Sequence, residues 1–77
     1  MKVKLTQLKA GQTGRVLTVE GGAGAIRNME NIGVRPNKKI KKISQQLGRG
    51  PVIIQSGQSE IAIGYGLAQK ILVETEE

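Results

Sequence analysis

The chain has 77 residues, enough for one domain, and its hydrophobic residues include no Phe or Trp and a single Tyr, so the core must consist of Ile, Val, Leu and Ala. The absence of Cys excludes a disulfide framework and a thiolate metal site. Residues 27–49 hold seven positive charges and one negative, so the net charge of +6 arises mainly in the middle of the chain.

The first third of the chain is predicted to form a short turn and then a strand. Leu5 and Leu8 have the spacing of one helical turn, and Gly11 breaks that pattern. From Thr13 onward the sequence is rich in β-branched residues with a period of two, and this run ends at Gly21. We therefore expect the first strand between residues 13 and 20.

A short helix is expected next. Three apolar residues spaced by three lie on one helical face, which predicts a helix of about two turns: Ile26, Met29 and Ile32. Gly33 suits the left-handed conformation that often follows a helix, and Val34 supplies the hydrophobic contact of such a cap. Pro36 prevents the helix from continuing, and Asn37 tolerates a turn with positive φ.

The segment KKIKKISQQLG fits two structures. Ile40, Ile43 and Leu47 have helical spacing, whereas Ile40 and Lys42 have the spacing of a strand. A strand would leave Ile43 on the wrong face unless a bulge near Lys42 restored its direction. On the residues alone, helix and strand remain equally open here.

The last third of the chain is predicted to be a hairpin and a final strand. Residues 51–54 and 59–63 flank Ser56, Gly57 and Gln58, which is typical of a β-hairpin. A short helix is expected at residues 67–70 and a strand at 71–74. About five short strands with one small helix predict a mainly β protein, a small closed or partly closed barrel.

These residues resemble the ferrous-iron transport protein A (FeoA) family. The resemblance is carried by Arg27, Met29, the run Ile32-Gly33-Val34 and the pair Pro36-Asn37, and it continues through LGRGPV, SEIAI and AQKILVE. Asn37 stands where the family more often has Gly, and LGRGP is one residue longer than usual. The resemblance implies a single SH3-like β-barrel over residues 1–77, with KKIKKI as a strand and one short helix between strands 1 and 2.

The resemblance also implies a role. FeoA proteins are small cytoplasmic accessory or regulatory proteins of ferrous-iron uptake, and they work with a membrane transporter that has a GTPase domain. This chain would then be cytoplasmic and peripheral to the inner face of the membrane through that transporter. A related domain forms the C-terminal part of iron- and manganese-dependent repressors, so a metal-responsive regulatory domain is an alternative.

The side chains available for chemistry are few. An enzyme is not expected, because there is no His, Cys or Asp to serve as nucleophile or as general acid or base. No cofactor is evident, and the scattered glutamates Glu20, Glu30 and Glu60 do not suggest a conventional metal site. A weak ferrous-iron site, within one chain or between subunits, stays open by family association. GGAG is interpreted as a flexible turn, and Tyr65 as a packing residue.

The basic cluster around Ile40 has three interpretations. Its lysines lie on a predicted outer strand, where they would protect an edge from pairing: Lys38, Lys39, Lys41 and Lys42. Alternatively, four basic side chains steer the protein toward an acidic partner surface: Arg27, Arg35, Lys39 and Lys41. A nucleic-acid-binding barrel is the third interpretation, although Tyr65 is the only aromatic side chain available for stacking on bases.

Overall fold

The computed structural model describes residues 1–75, and over these residues the protein is mainly β. In chain order the elements are β1 (Lys2–Lys4), a 3-10 turn (Leu5–Gln7), β2 (Thr13–Val19), α1 (Gly22–Asn31), β3 (Lys39–Gln45), β4 (Val52–Ser56), β5 (Ser59–Ile63), α2 (Tyr65–Ala68) and β6 (Ile71–Thr75). The predicted mainly β, SH3-like fold is confirmed, with six strands where about five were expected. The helix lies between β2 and β3, which are the first two strands that the sequence predicted. Residues 76 and 77 of the predicted domain lie outside the described range.

The strands form one antiparallel sheet in the order β1-β6-β2-β3-β4-β5. The register between β2 and β6 shifts between Val16 and Thr18, and the register between β3 and β4 shifts between Lys42 and Ser44. Bulges of this kind bend a strand and increase its twist. They help so short a chain to curve its sheet around one core.

The ambiguous segment is a strand with the bulge in the predicted place. Ile40 and Lys42 both point inward, the register shifts at Ile43, and Ile43 is half-buried. Leu47 lies fully exposed in the loop after β3, so the helical interpretation of this segment was wrong. Pairing with both neighbouring strands, which residue spacing does not reveal, decides between the two structures.

The core is aliphatic, as the composition predicted. Its largest fully buried side chains come from the 3-10 turn, from α1 and the loop after it, and from strands β2 to β6: Leu5, Val16, Met29, Val34, Ile40, Val52, Ile54, Ile63, Ile71 and Val73. On α1, Met29 is buried, whereas Ile26 is 44% exposed. Ile32, the C-cap of α1, packs against the core. Ala25, one turn before Met29, packs inward instead.

Helix α1 ends in the cap that the sequence predicted. Gly33 has φ +87°, its N–H donates to the Glu30 carbonyl at 3.0 Å, and the Val34 N–H donates to the Met29 carbonyl at 3.0 Å. These two hydrogen bonds define a Schellman motif, and the burial of both Met29 and Val34 supplies its hydrophobic contact. The cap fixes where the chain leaves the helix for β3.

Replacing Gly33 with valine should destabilise the protein by about 1 kcal/mol or more, because a β-branched residue resists positive φ. A Cβ at this position would meet only the Ile61 Cδ1 atom, at 4.0 Å, so the cost comes from the backbone and not from crowding. Chemical denaturation measures the effect. Gly24→Ala is the control, since Gly24 lies inside α1 with open space around it and should gain about 0.5–1 kcal/mol. An unchanged stability of Gly33→Val would contradict the cap argument.

Candidate functional site

Three basic side chains share one exposed face of β2 and β3. Alternation along β2 places Arg15 outward between the buried residues Gly14 and Val16, and alternation along β3 places Lys39 and Lys41 outward on either side of Ile40. Arg15 is directly opposite Lys39 in the antiparallel register, and residues that pair in this way have side chains on the same side of the sheet. We call Arg15, Lys39 and Lys41 the basic face.

Two open grooves adjoin at Lys39. The first has a volume of about 440 Å³ and is lined by Gly14, Arg15, Lys39, Glu74 and Thr75. The second has a volume of about 260 Å³ and is lined by Thr13, Lys39, Ile40, Lys41, Gln55 and Gly57. Because Lys39 lines both, the basic face borders two adjoining grooves. None of the residues that line them is aromatic.

Charges alternate only on one side of the basic face. Glu74 on β6 is opposite Arg15 on one side and opposite Lys2 of β1 on the other. On the far side of Arg15 lies Lys39, another cation, and like charges directly opposite one another destabilise a sheet. Positive charge is therefore in excess toward Lys39 and Lys41, where a negatively charged group would be attracted.

The structure brings together two of the four residues that the sequence suggested for partner binding. Lys39 and Lys41 line the same groove. Arg27 is exposed on α1 and Arg35 is exposed in the loop between α1 and β3, and neither lines the grooves of the basic face. Their role in partner binding remains a prediction.

Arg15 was missed by the sequence reasoning. Its outward position could have been found from the period of two in residues 13–19, which places Gly14 and Val16 on the buried side. Its proximity to Lys39 could not, because that follows from the pairing of two strands whose partners are 24 positions apart. The basic face thus combines a predicted pair of lysines with an unpredicted arginine.

The prediction that these lysines lie on an outer strand was wrong. β3 pairs with β2 on one side and with β4 on the other, so it is an interior strand of the sheet. Edge protection therefore does not explain Lys39 and Lys41. One of the two edge strands, β1, carries exposed lysines instead, Lys2 and Lys4, on either side of Val3.

Lys42 is also not part of the exposed cluster. It is only 3% exposed, because the alternation that buries Ile40 turns Lys42 inward as well. Its Nζ donates to the carbonyl oxygens of Leu8 at 2.6 Å, Thr6 at 3.2 Å and Leu5 at 3.5 Å, and to Oε1 of Gln45. The ammonium group thereby ties the 3-10 turn and the residue after it to β3.

The oxygens around Lys42 are all neutral. Burial lowers the pKa of Lys42 from its ordinary value of 10.5, since removal from water disfavours the charged form. The ammonium shares its three N–H donors among these four oxygens, and the hydrogen bonds offset part of that cost, as buried charges in proteins require. Lys42 is therefore a structural cation and is unavailable to a partner.

The other candidates of the sequence lie apart from the basic face. Glu20 follows β2, Glu30 lies in α1 and Glu60 lies in β5, all exposed, and within residues 1–75 no three acidic, His or Cys side chains come together to hold a metal. Within residues 1–75 these glutamates form no such group, and the weak ferrous-iron site that family association suggests stays an open alternative.

Two further sequence features differ from, or refine, their interpretation. The GGAG segment is not a flexible turn, since Gly21 is the N-cap of α1 and Gly22 begins the helix. Tyr65 begins α2 and is half-buried at the rim of a separate groove of about 550 Å³, together with Arg49, Gly66 and Gln69.

In the part of the chain that the structure describes, no helix has the length and apolar character to cross a bilayer.

A family model described as "FeoA domain" matches residues 3–75. The chain belongs to the FeoA domain family. A protein of Methanocaldococcus jannaschii named "Putative Fe(2+) transport protein A" is 42% identical to it over 69 residues, which are 90% of this chain and 82% of that protein. The family resemblance stated from the sequence is thereby confirmed.

Solved structures agree with this assignment. The crystal structure of an iron uptake regulatory protein, FeoA, matches at 32% identity with a TM-score of 0.87, over 96% of this chain and 97% of that one. A manganese-dependent transcriptional repressor matches at 19% identity with a TM-score of 0.86, over 96% of this chain and 41% of its own length. The likeness to the repressor shows a shared fold alone.

Proposed function

We propose that this FeoA-family protein is a non-enzymatic accessory of ferrous-iron uptake, which binds the cytoplasmic portion of a membrane transporter that has a GTPase domain. The observation that carries the proposal is the basic face. Arg15, Lys39 and Lys41 converge on an exposed surface of interior strands, where they have no role in protecting an edge. A similar protein bears the name of an Fe(2+) transport protein, which supports a place in iron uptake.

The basic face would act through long-range attraction to an acidic surface. Exposed charges at the rim of an interface raise the rate of association more than they slow dissociation. In 0.1 M salt their attraction is largely screened beyond about 10 Å. The protein has a net charge of +6, and three of its 12 basic side chains line two adjoining grooves. Arg27 and Arg35 would extend the attraction from α1 and the loop that follows it.

Exchange of both Lys39 and Lys41 for glutamate should reduce the association rate with the transporter's cytoplasmic portion about tenfold or more at low salt. The difference from the unmodified protein should shrink as salt rises. Both side chains are exposed, so the fold should persist. Surface plasmon resonance across a salt series measures the rates.

The matched control is the double exchange of Arg49 and Lys70 for glutamate. It changes the net charge by the same amount, at exposed residues outside the grooves of the basic face. An equal loss of association rate in both variants would indicate an effect of net charge alone. Undiminished binding of the Lys39 and Lys41 variant at low salt would refute the proposal.

A further inference from the structure

The spacing of the basic face restricts the shape of the group that it binds. Arg15 and Lys39 are directly opposite, so their Cβ atoms are about 5 Å apart, and Lys39 and Lys41 are two residues apart on one strand, or about 6.6 Å. The Cβ atoms of the three residues therefore form an angle, with a close pair at one end and a single lysine at the other. Adjoining grooves run past all three.

The close pair favours a carboxylate between its members. In the free protein Arg15 faces Lys39, an arrangement of like charges that an intervening anion would relieve. The planar guanidinium of arginine binds a carboxylate through two parallel hydrogen bonds, and the ammonium of lysine adds a point charge. Glu74, on the other side of Arg15, repels anions and marks where the attractive surface ends.

Lys41, the single lysine beyond the close pair, sets the conformation of the ligand. In an extended peptide, side chains two residues apart point the same way and repeat about every 6.6 Å, which is the spacing from Lys39 to Lys41. We infer that the basic face binds an extended acidic peptide segment with carboxylates at alternate positions, one between Arg15 and Lys39 and the next at Lys41. This inference rests on the proposed function and identifies the part of the partner that is recognised.

A nucleic acid fits the same surface less well. The residues that line both grooves offer no aromatic ring on which the bases of a single strand could stack. A peptide with acidic side chains needs no such ring, because its carboxylates bind the hydrogen-bond donors of Arg15, Lys39 and Lys41. The lining of the two grooves therefore favours a short acidic segment of a protein.

The test is a nuclear magnetic resonance titration of the isotope-labelled protein at low ionic strength with two capped peptides. Thr-Glu-Thr-Glu-Thr places its carboxylates at alternate positions, and Thr-Glu-Glu-Thr-Thr has the same composition with adjacent carboxylates. The first peptide should bind about two- to fivefold more tightly, the difference expected for one additional exposed ion pair. The shifted amide signals should centre on Arg15, Lys39 and Lys41.

Two variants complete the test. Arg15→Gln should lower the affinity for the alternating peptide by about the same two- to fivefold factor. Arg49→Gln, which removes the same charge at a separate groove, should leave that affinity unchanged. Equal affinity for the two peptides, or equal affinity of the two variants, would overturn the inference. Tighter binding of oligothymidylate to the same amides would overturn it in favour of nucleic acid.

The failure of this inference can be distinguished from failure of the proposed function. If binding to the transporter's cytoplasmic portion depends on Lys39 and Lys41 while the two peptides bind with equal affinity, the proposed function is supported and only the extended-peptide inference is wrong. If exchange of Lys39 and Lys41 leaves transporter binding unchanged, the proposed function itself is refuted, whatever the peptides do.

Discussion

Replacing Gly14 with alanine should destabilise the protein by about 1–3 kcal/mol, the usual cost of forcing an extra methyl group into a packed core. Gly14 is buried in β2 opposite Thr75 of β6. A Cβ at this position would overlap Cγ1 of Val73 and lie 3.0 Å from the Glu74 carbonyl oxygen, which belongs to the backbone and cannot move aside cheaply. In so small a domain the melting temperature should fall by at least about 4 °C.

Gly66→Ala is the control for this substitution. Gly66 lies in α2 with no heavy atom near the position of a Cβ, so alanine should be neutral or stabilising there by up to about 1 kcal/mol. The source of the strain can be identified by making Gly14→Ala in a Val73→Ala background, where the overlapping methyl group is gone. In that background Gly14→Ala should lower stability by less than it does in the unmodified protein. An equal loss of stability would exclude the contact with Val73 as its cause.

Much of the fold could be predicted because its signals are local. The period of two in β2, the spacing of Met29 and Ile32, the cap at Gly33 and the hairpin around Gly57 each lie within a few residues of chain. β1 could not be predicted in this way, since three residues are too few to display a period. It exists because it pairs with β6, at the other end of the described chain.

The candidate site was only half predictable, for the same reason. Exposure of Lys39 and Lys41 follows from alternation around Ile40, but the position of Arg15 beside Lys39 depends on the register between two strands. Alternation also predicts that Lys42 points inward. Burial of a lone ammonium is so costly that the sequence alone suggests an exposed Lys42. Only the structure shows the carbonyl groups that bind its ammonium, 34 to 37 positions earlier in the chain.

Lys42→Met should destabilise the protein by about 2–4 kcal/mol, even though methionine has a similar length and carries no charge. Removal of the ammonium relieves the cost of its burial, but it leaves the carbonyl groups of Leu5, Thr6 and Leu8 and the side-chain oxygen of Gln45 without this donor. A hydrogen bond to a charged group contributes about 1.5–3 kcal/mol, and a buried acceptor left unpaired costs about 1–3 kcal/mol. Together, the lost hydrogen bonds of Lys42 outweigh the free energy gained by removing its buried charge. Chemical denaturation measures the difference, and Lys41→Met, at the exposed neighbouring position, should change stability by less than about 0.5 kcal/mol.

The pH dependence gives a second, independent test of the buried ammonium. Because burial lowers the pKa of Lys42 below 10.5, the folded protein loses this proton at a lower pH than the unfolded chain does. In the window below pH 10.5 the unfolded state binds more protons, so stability must rise with pH there. The neutral amine still donates hydrogen bonds, which methionine cannot do. The stability of the unmodified protein relative to Lys42→Met should therefore increase as the pH rises toward 10.5, and the comparison cancels the titration of all groups common to both. A difference that narrows over this range would mean that the pKa of Lys42 is raised and not lowered, and that its hydrogen bonds outweigh its burial.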